Sequence, residues 1–117
     1  IERFLLGQKY DDVVVADVRQ WEATFDTDTL VLLGDVVEHL PYEDAVGLVR
    51  TVQQWATEIY VSVPIVHSPQ GACCGNAYEA HLYHWKFHEM AALLETDGWT
   101  VDTFRGVQVG RYWAKRT

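Results

Sequence analysis

The stretch Leu30-Val-Leu-Leu-Gly-Asp-Val-Val-Glu-His-Leu-Pro41 constrains the fold more than any other part of the chain. Leu30 to Leu33 are large and apolar without a break, the pattern of a strand buried on both faces in the middle of a parallel sheet. Gly34 and Asp35 end it, a turn runs to Pro41, and Tyr42-Glu43-Asp44 opens a helix with acids in its first turn, where the helix dipole favours them. Open α/β sheets bind ligands at the carboxyl ends of such strands. Asp35, Glu38 and His39 gather at that end, so function is sought there first.

The rest of the chain supplies neighbours for this strand, expected over about residues 29–33. Ile1, Phe4 and Leu5 fall at helical spacing, predicting a helix over about 1–6. The β-branched run Val13-Val14-Val15-Ala16, closed by Asp17, predicts a second buried parallel strand over about 12–16. Ala45, Leu48, Val49, Val52 and Trp55 share one face of a helix over about 42–56. A strand follows over about 58–63 and stops at Pro64. Strand, helix, strand in that order gives a parallel pair. After an irregular segment over 64–85, Phe87, Met90, Ala91 and Leu94 mark a helix over about 86–96. Arg105-Gly106 then joins two alternating strands, about 99–104 and 107–113, in an antiparallel hairpin. The expected class is α/β, mainly parallel, with that hairpin at the end.

At 117 residues the chain fits a single domain. It begins at Ile1, inside a helical pattern, and is read as a fragment of a longer domain. A net charge of −8 argues against a broad phosphate-binding surface, because non-specific nucleic-acid affinity comes from Lys and Arg. A small-molecule substrate is expected, with no nucleic acid. No apolar run approaches the ~20 residues of a membrane span and no signal peptide is visible, so no membrane partner and a cytoplasmic setting are expected. Adjacent Cys73 and Cys74 read as reduced thiols in a loop.

Several residues could carry chemistry. Asp17 ends one strand and Asp35 another, both at one edge of the sheet, and they could accept hydrogen bonds from a nucleotide-like ligand, or cap their own turns. His39 beside Glu38 could act as a general base or a metal ligand, or fasten a loop. His81, His84 and His88 are spaced as one face of a helix, with His67 upstream. Neither His-Glu-x-x-His nor paired Cys-x-x-Cys is present, so no metal is expected. Tyr78, Tyr83 and Trp85 suit stacking on an organic substrate or a small core of their own.

Those same residues carry a resemblance. Thr29-Leu-Val-Leu-Leu-Gly-Asp-Val-Val-Glu-His-Leu-Pro41 is similar to the fourth-strand motif of class I, Rossmann-like, S-adenosylmethionine-dependent methyltransferases, in which Asp-x-x-Glu-His-Leu follows an apolar strand. Val13-Val-Val-Ala-Asp-Val-Arg19 resembles the third strand and its acidic end. The resemblance implies that Asp17 contacts the adenine amino group of S-adenosylmethionine, that the Val18 backbone contacts the ring, and that Leu33, Gly34 and Asp35 line its methionine portion. Gln70-Gly-Ala-Cys-Cys-Gly-Asn-Ala-Tyr-Glu-Ala-His-Leu-Tyr-His-Trp85 looks like a substrate-side loop of some members. It implies Glu38, Asn76, Tyr78 and Trp85 as substrate-binding residues, with His39, Glu79 and His81 assisting deprotonation.

The chain departs from the family in one respect. The first strand, the glycine-rich cofactor loop and the second strand do not appear in these 117 residues. Without them Leu30 to Leu33 becomes an apolar edge unless covered. Two functions follow: the C-terminal portion of a methyltransferase acting on a small-molecule acceptor, or a non-catalytic module of the same shape that forms a homodimer or binds a protein through that edge.

Overall fold

The structure is a computed structural model describing residues 14–20, 28–66 and 80–117. The helix expected over 1–6 lies outside them. Among the described residues a four-stranded sheet is built from β1 (Leu30–Gly34), β2 (Glu58–Pro64), β3 (Trp99–Arg105) and β4 (Val109–Arg116), in the order β1-β2-β4-β3. Only β1 and β2 are parallel; β4 runs antiparallel to both β2 and β3. The expectation of a mainly parallel sheet is thereby corrected to one parallel pair within a mixed sheet.

Two helices cover one face. Helix α1 (Tyr42–Gln53) buries Ala45, Val49 and Val52, and α2 (Phe87–Leu94) buries Met90, Leu93 and Leu94. Beneath them lie Leu33 of β1, Ile59, Val61 and Val63 of β2, and Tyr112 and Ala114 of β4. The register explains the grouping: Leu33 sits opposite Val61, and Val61 opposite Tyr112, so alternate residues of three strands form one apolar row. Each fully buried aliphatic side chain there contributes about 1.5–3 kcal/mol, so this face carries most of the stability.

Helix α1 ends earlier than its apolar spacing suggests. Arg116 donates to the carbonyls of Gln53 and Ala56, which removes the acceptors a further helical turn would need. At the start of α2 the Glu89 carboxylate accepts from the Lys86 N–H at 3.2 Å, closing a capping box. Gly98, at φ 86°, makes the turn from α2 into β3, a backbone region that glycine occupies without strain. Gly110 is required by space, since a Cβ there would sit 2.7 Å from the Tyr112 hydroxyl.

Two strand expectations are corrected. Val14 to Ala16 form no strand and are exposed, Val15 at 78%. A β-branched run becomes a strand only where a neighbour accepts its backbone hydrogen bonds, and none of the described strands does. Leu30 to Leu33 is not buried on both faces: Leu33 is buried, but Leu32 is 66% exposed. β1 is an edge strand paired only with β2, and its outward face has no covering layer among the described residues. Among the described residues Leu30 and Leu32 are an exposed apolar edge.

Candidate functional site

The carboxyl end of β1 turns sharply. Asp35 adopts φ 54°, in the left-handed region that Asp tolerates better than most residues, while its N–H donates to Ser62 O at 3.1 Å. A single 3-10 turn, Val37–His39, follows. Val37 is fully buried and Leu40 nearly so, and these two apolar anchors fix the turn on the core. Fixing them carries Glu38 inside as well, 3% exposed.

The segment over 80–83 runs beside this turn. Leu82 N–H donates to Glu38 O at 2.8 Å, and His39 Nδ1 lies 3.1 Å from Ala80 O. Because a carbonyl only accepts, Nδ1 carries the proton, and in the neutral ring Nε2 keeps its lone pair. That Nε2 lies 4.0 Å from Glu38 Oε2. His81 packs edge-on to His39, ring centroids 4.8 Å apart. One ligand atom each from Glu38, His39 and His81 falls within 4.8 Å of the others. The second carboxylate oxygen, Glu38 Oε1, is buried without a hydrogen-bond partner among the described residues. Burial holds the Glu38 carboxyl above its ordinary range, only partly offset by the neighbouring histidines and the turn's backbone.

This grouping can hold a proton or a cation. One carboxylate and two imidazoles are a ligand set suited to a divalent transition ion, and the Ala80 carbonyl fixes the tautomer that leaves His39 Nε2 free to bind. Ligand bonds of about 2.1 Å bring donor atoms to roughly 3 Å from one another, so the side chains would close inward by an ångström or two. The sequence pattern hid this because Glu38 and His39 lie far along the chain from His81. The helical alignment of His81, His84 and His88 does not form: α2 begins at Phe87, and His84 Nε2 lies 3.1 Å from Ile65 O.

Leu33 and Gly34 sit at the carboxyl end of β1, and Asp35 follows directly. Val18 shares with Leu33, Val36, Leu48 and Trp55 an apolar groove of about 460 Å³ along the β1 edge. Asp17 is occupied: Arg19 donates to its carboxylate through Nη2 at 2.6 Å and its own N–H at 3.0 Å, holding Asp17 down to about 2. Arg19 also reaches Asp44 at 3.2 Å, tying the 3-10 turn Val18–Gln20 to the start of α1.

Trp85 is fully buried, its ring 4.9 Å from Tyr83 and 5.4 Å from Tyr42. The Tyr83 hydroxyl donates to Glu89 Oε2 at 2.5 Å, which pushes Tyr83 up to about 12. Of these rings Tyr42 is the exposed one. In the sequence Tyr42, directly after Pro41, marks only the start of a helix. Asn76, Tyr78 and Glu79 lie outside the described residues.

Neither protein-family patterns nor curated protein sequences give a match. Solved structures do. The chain is similar to the small RNA methyltransferase HEN1, with a TM-score of 0.64 and 12% identity over 86% of this chain and 15% of that one. A chain of the Pnkp1/Rnl/Hen1 RNA repair complex matches at 0.63 and 16% identity, over 98% of this chain and 28% of that one. Magnesium protoporphyrin IX methyltransferase from Synechocystis PCC 6803, solved with bound SAH, matches at 0.56 and 18% identity, over 87% and 49%. The fold is therefore that of class I methyltransferases, and the chain spans less than half the length of each of these neighbours. The expectation of no nucleic acid is overturned, since two of these neighbours are an RNA methyltransferase and a component of an RNA repair complex. Net charge averages a surface, whereas recognition depends on local contacts, so −8 does not exclude a nucleic-acid partner. No described helix is long and apolar enough to cross a membrane.

Proposed function

We propose that this chain is the acceptor-side portion of an S-adenosylmethionine-dependent methyltransferase, working in a cytoplasmic setting, whose Glu38, His39 and His81 activate a hydroxyl of the acceptor. The observation that carries this reading is the Glu38 carboxylate, buried beside two imidazoles at the carboxyl end of β1 with Oε1 unpaired among the described residues. A protein interior leaves such a group unpaired at a cost of a few kcal/mol, which is repaid when a guest occupies the site.

S-adenosylmethionine supplies a methyl group on a positively charged sulfur. Gly34 and Asp35 would hold its methionine part, and the Val18 backbone its adenine; Asp17, already satisfied by Arg19, would act by shaping that edge. The acceptor hydroxyl gives its proton to His39 Nε2 or to the Glu38 carboxylate as its oxygen bonds to the methyl carbon; the sulfur keeps the electrons of the broken carbon–sulfur bond. Were a divalent ion held there instead, His39 Nε2 and the Glu38 carboxylate would be its ligands rather than bases, and the ion would lower the hydroxyl's pKa so that the proton leaves to solvent. Among acceptors, an RNA ribose is supported by the two RNA-related neighbours, and a small molecule by the porphyrin methyltransferase.

The test is calorimetric titration of the complete protein with S-adenosylhomocysteine. It is followed by methyl transfer from labelled S-adenosylmethionine to short RNA and to small hydroxyl compounds, before and after chelation and Mn²⁺ return. Micromolar binding with acceptor labelling is expected. Absence of binding would favour the second reading, a non-catalytic module pairing through the exposed β1 edge, where Leu30 and Leu32 face outward.

A further inference from the structure

Three aromatic rings sit one step along from the histidine pair. The segments that bring His39 against His81 also bring Tyr42 against Tyr83, with ring centroids 4.9 Å apart. Tyr83 is fixed by its hydroxyl bond to Glu89, and Glu89 is fixed by the Lys86 backbone. Trp85 is fixed by complete burial. Tyr42 leans on both rings and is itself 44% exposed. An exposed ring held by two immobile ones has already lost its rotamer freedom, so a planar ligand stacking on it incurs little further ordering cost.

The charges beside it select the kind of ligand. Glu43 and Asp44 follow Tyr42 in the chain, and Arg19, which reaches Asp44, is already engaged with Asp17 and Asp44. Phosphates gain nothing here, whereas a base offers an uncharged π-face. Resting on the methyltransferase reading above, we propose that Tyr42 is a specificity-determining platform that stacks the nucleobase next to the accepting hydroxyl. That hydroxyl is thereby aligned with the Glu38–His39–His81 cluster. Trp85, expected from the sequence to meet substrate, supports the platform from beneath.

The experiment measures binding to the complete protein saturated with S-adenosylhomocysteine, which blocks the adenine pocket. The probes are a short oligoadenylate and its abasic counterpart. The wild-type protein is expected to prefer the oligoadenylate about tenfold, Tyr42→Ala to lose that preference, and Tyr42→Phe and Tyr42→Trp to keep it within twofold, because stacking needs the ring and not the hydroxyl. S-adenosylhomocysteine affinity should be unchanged in all variants. Equal binding of the two probes by wild type would overturn the proposal without relying on any variant. So would a Tyr42→Phe protein that fails like Tyr42→Ala, or a preference for a porphyrin over the oligoadenylate. Failure of the functional reading is separate: it appears as loss of S-adenosylhomocysteine binding in wild type itself.

Discussion

Glu38 and Gln53 are the two polar residues buried in the described core, and they are treated in opposite ways. Gln53, near the end of α1, donates to Leu94 O at 3.1 Å and accepts from Arg50 at 2.7 Å, while Arg50 reaches Leu93 O at 2.8 Å. The pair latches α1 to the last turn of α2 by satisfying carbonyls that a helix end leaves open. Glu38, at similar depth, keeps Oε1 unpaired among the described residues. A buried polar group with its bonds complete serves the fold, whereas an incompletely bonded carboxylate beside two imidazoles marks a candidate site.

The largest effect should separate the two residues by activity. Glu38→Ala is expected to lower methyl transfer by the complete protein about 100-fold, in the range that positioned acid–base groups contribute, while leaving the melting temperature intact. Gln53→Ala should behave in reverse, destabilising by about 2 kcal/mol in urea unfolding because the bonds from Gln53 to Leu94 O and from Arg50 to Gln53 are both lost, with specific activity of the folded fraction preserved. If both variants lose stability equally, Glu38 is structural and the comparison collapses.

A smaller effect sharpens the contrast from the stability side. Replacing an unpaired buried carboxyl by an amide of the same shape removes a desolvated ionisable group, so Glu38→Gln should raise unfolding stability at neutral pH by about 1 kcal/mol. Activity should fall in the same variant, the usual exchange between a strained site and a stable fold. A loss of stability would mean that the carboxylate is already satisfied.

The two regions also differ in how well the sequence announced them. The α1 face, β2 and the terminal hairpin were legible because their apolar residues repeat at three-and-four or two-residue spacing, and this local pattern agrees with the packing. Val14 to Ala16 and Leu30 to Leu33 misled for a shared reason. β-branched and apolar runs show what a strand could bury, while whether a neighbour covers it is decided elsewhere in the chain. Asp35, Glu38 and His39 stood out as a polar knot at a strand end. His81's approach to them depends on backbone bonds from Leu82 to Glu38 and a contact between His39 and Ala80, which no spacing rule encodes. Tyr42 reads in the sequence as a helix-opening position, which carries no sign that its ring is exposed against Tyr83 and Trp85.

Asp17 supplies the third case, a carboxylate with every partner Glu38 lacks, and the smallest effect. Its fork of bonds from Arg19 holds it at about 2, below the ordinary carboxylate range near 4. A carboxylate lowered in this way stabilises the fold above its unfolded pKa and loses that contribution as pH falls towards the folded value. The pair is at the surface, so solvent and salt screen it and the contribution is slight. Melting temperatures of wild type and Asp17→Asn should therefore differ a little at neutral pH, converge between about pH 4 and pH 2, and differ less in high salt. A gap that persists unchanged at pH 2 would show that Asp17 acts through its shape and not its charge. The remaining contrast with Glu38 would then be one of burial alone.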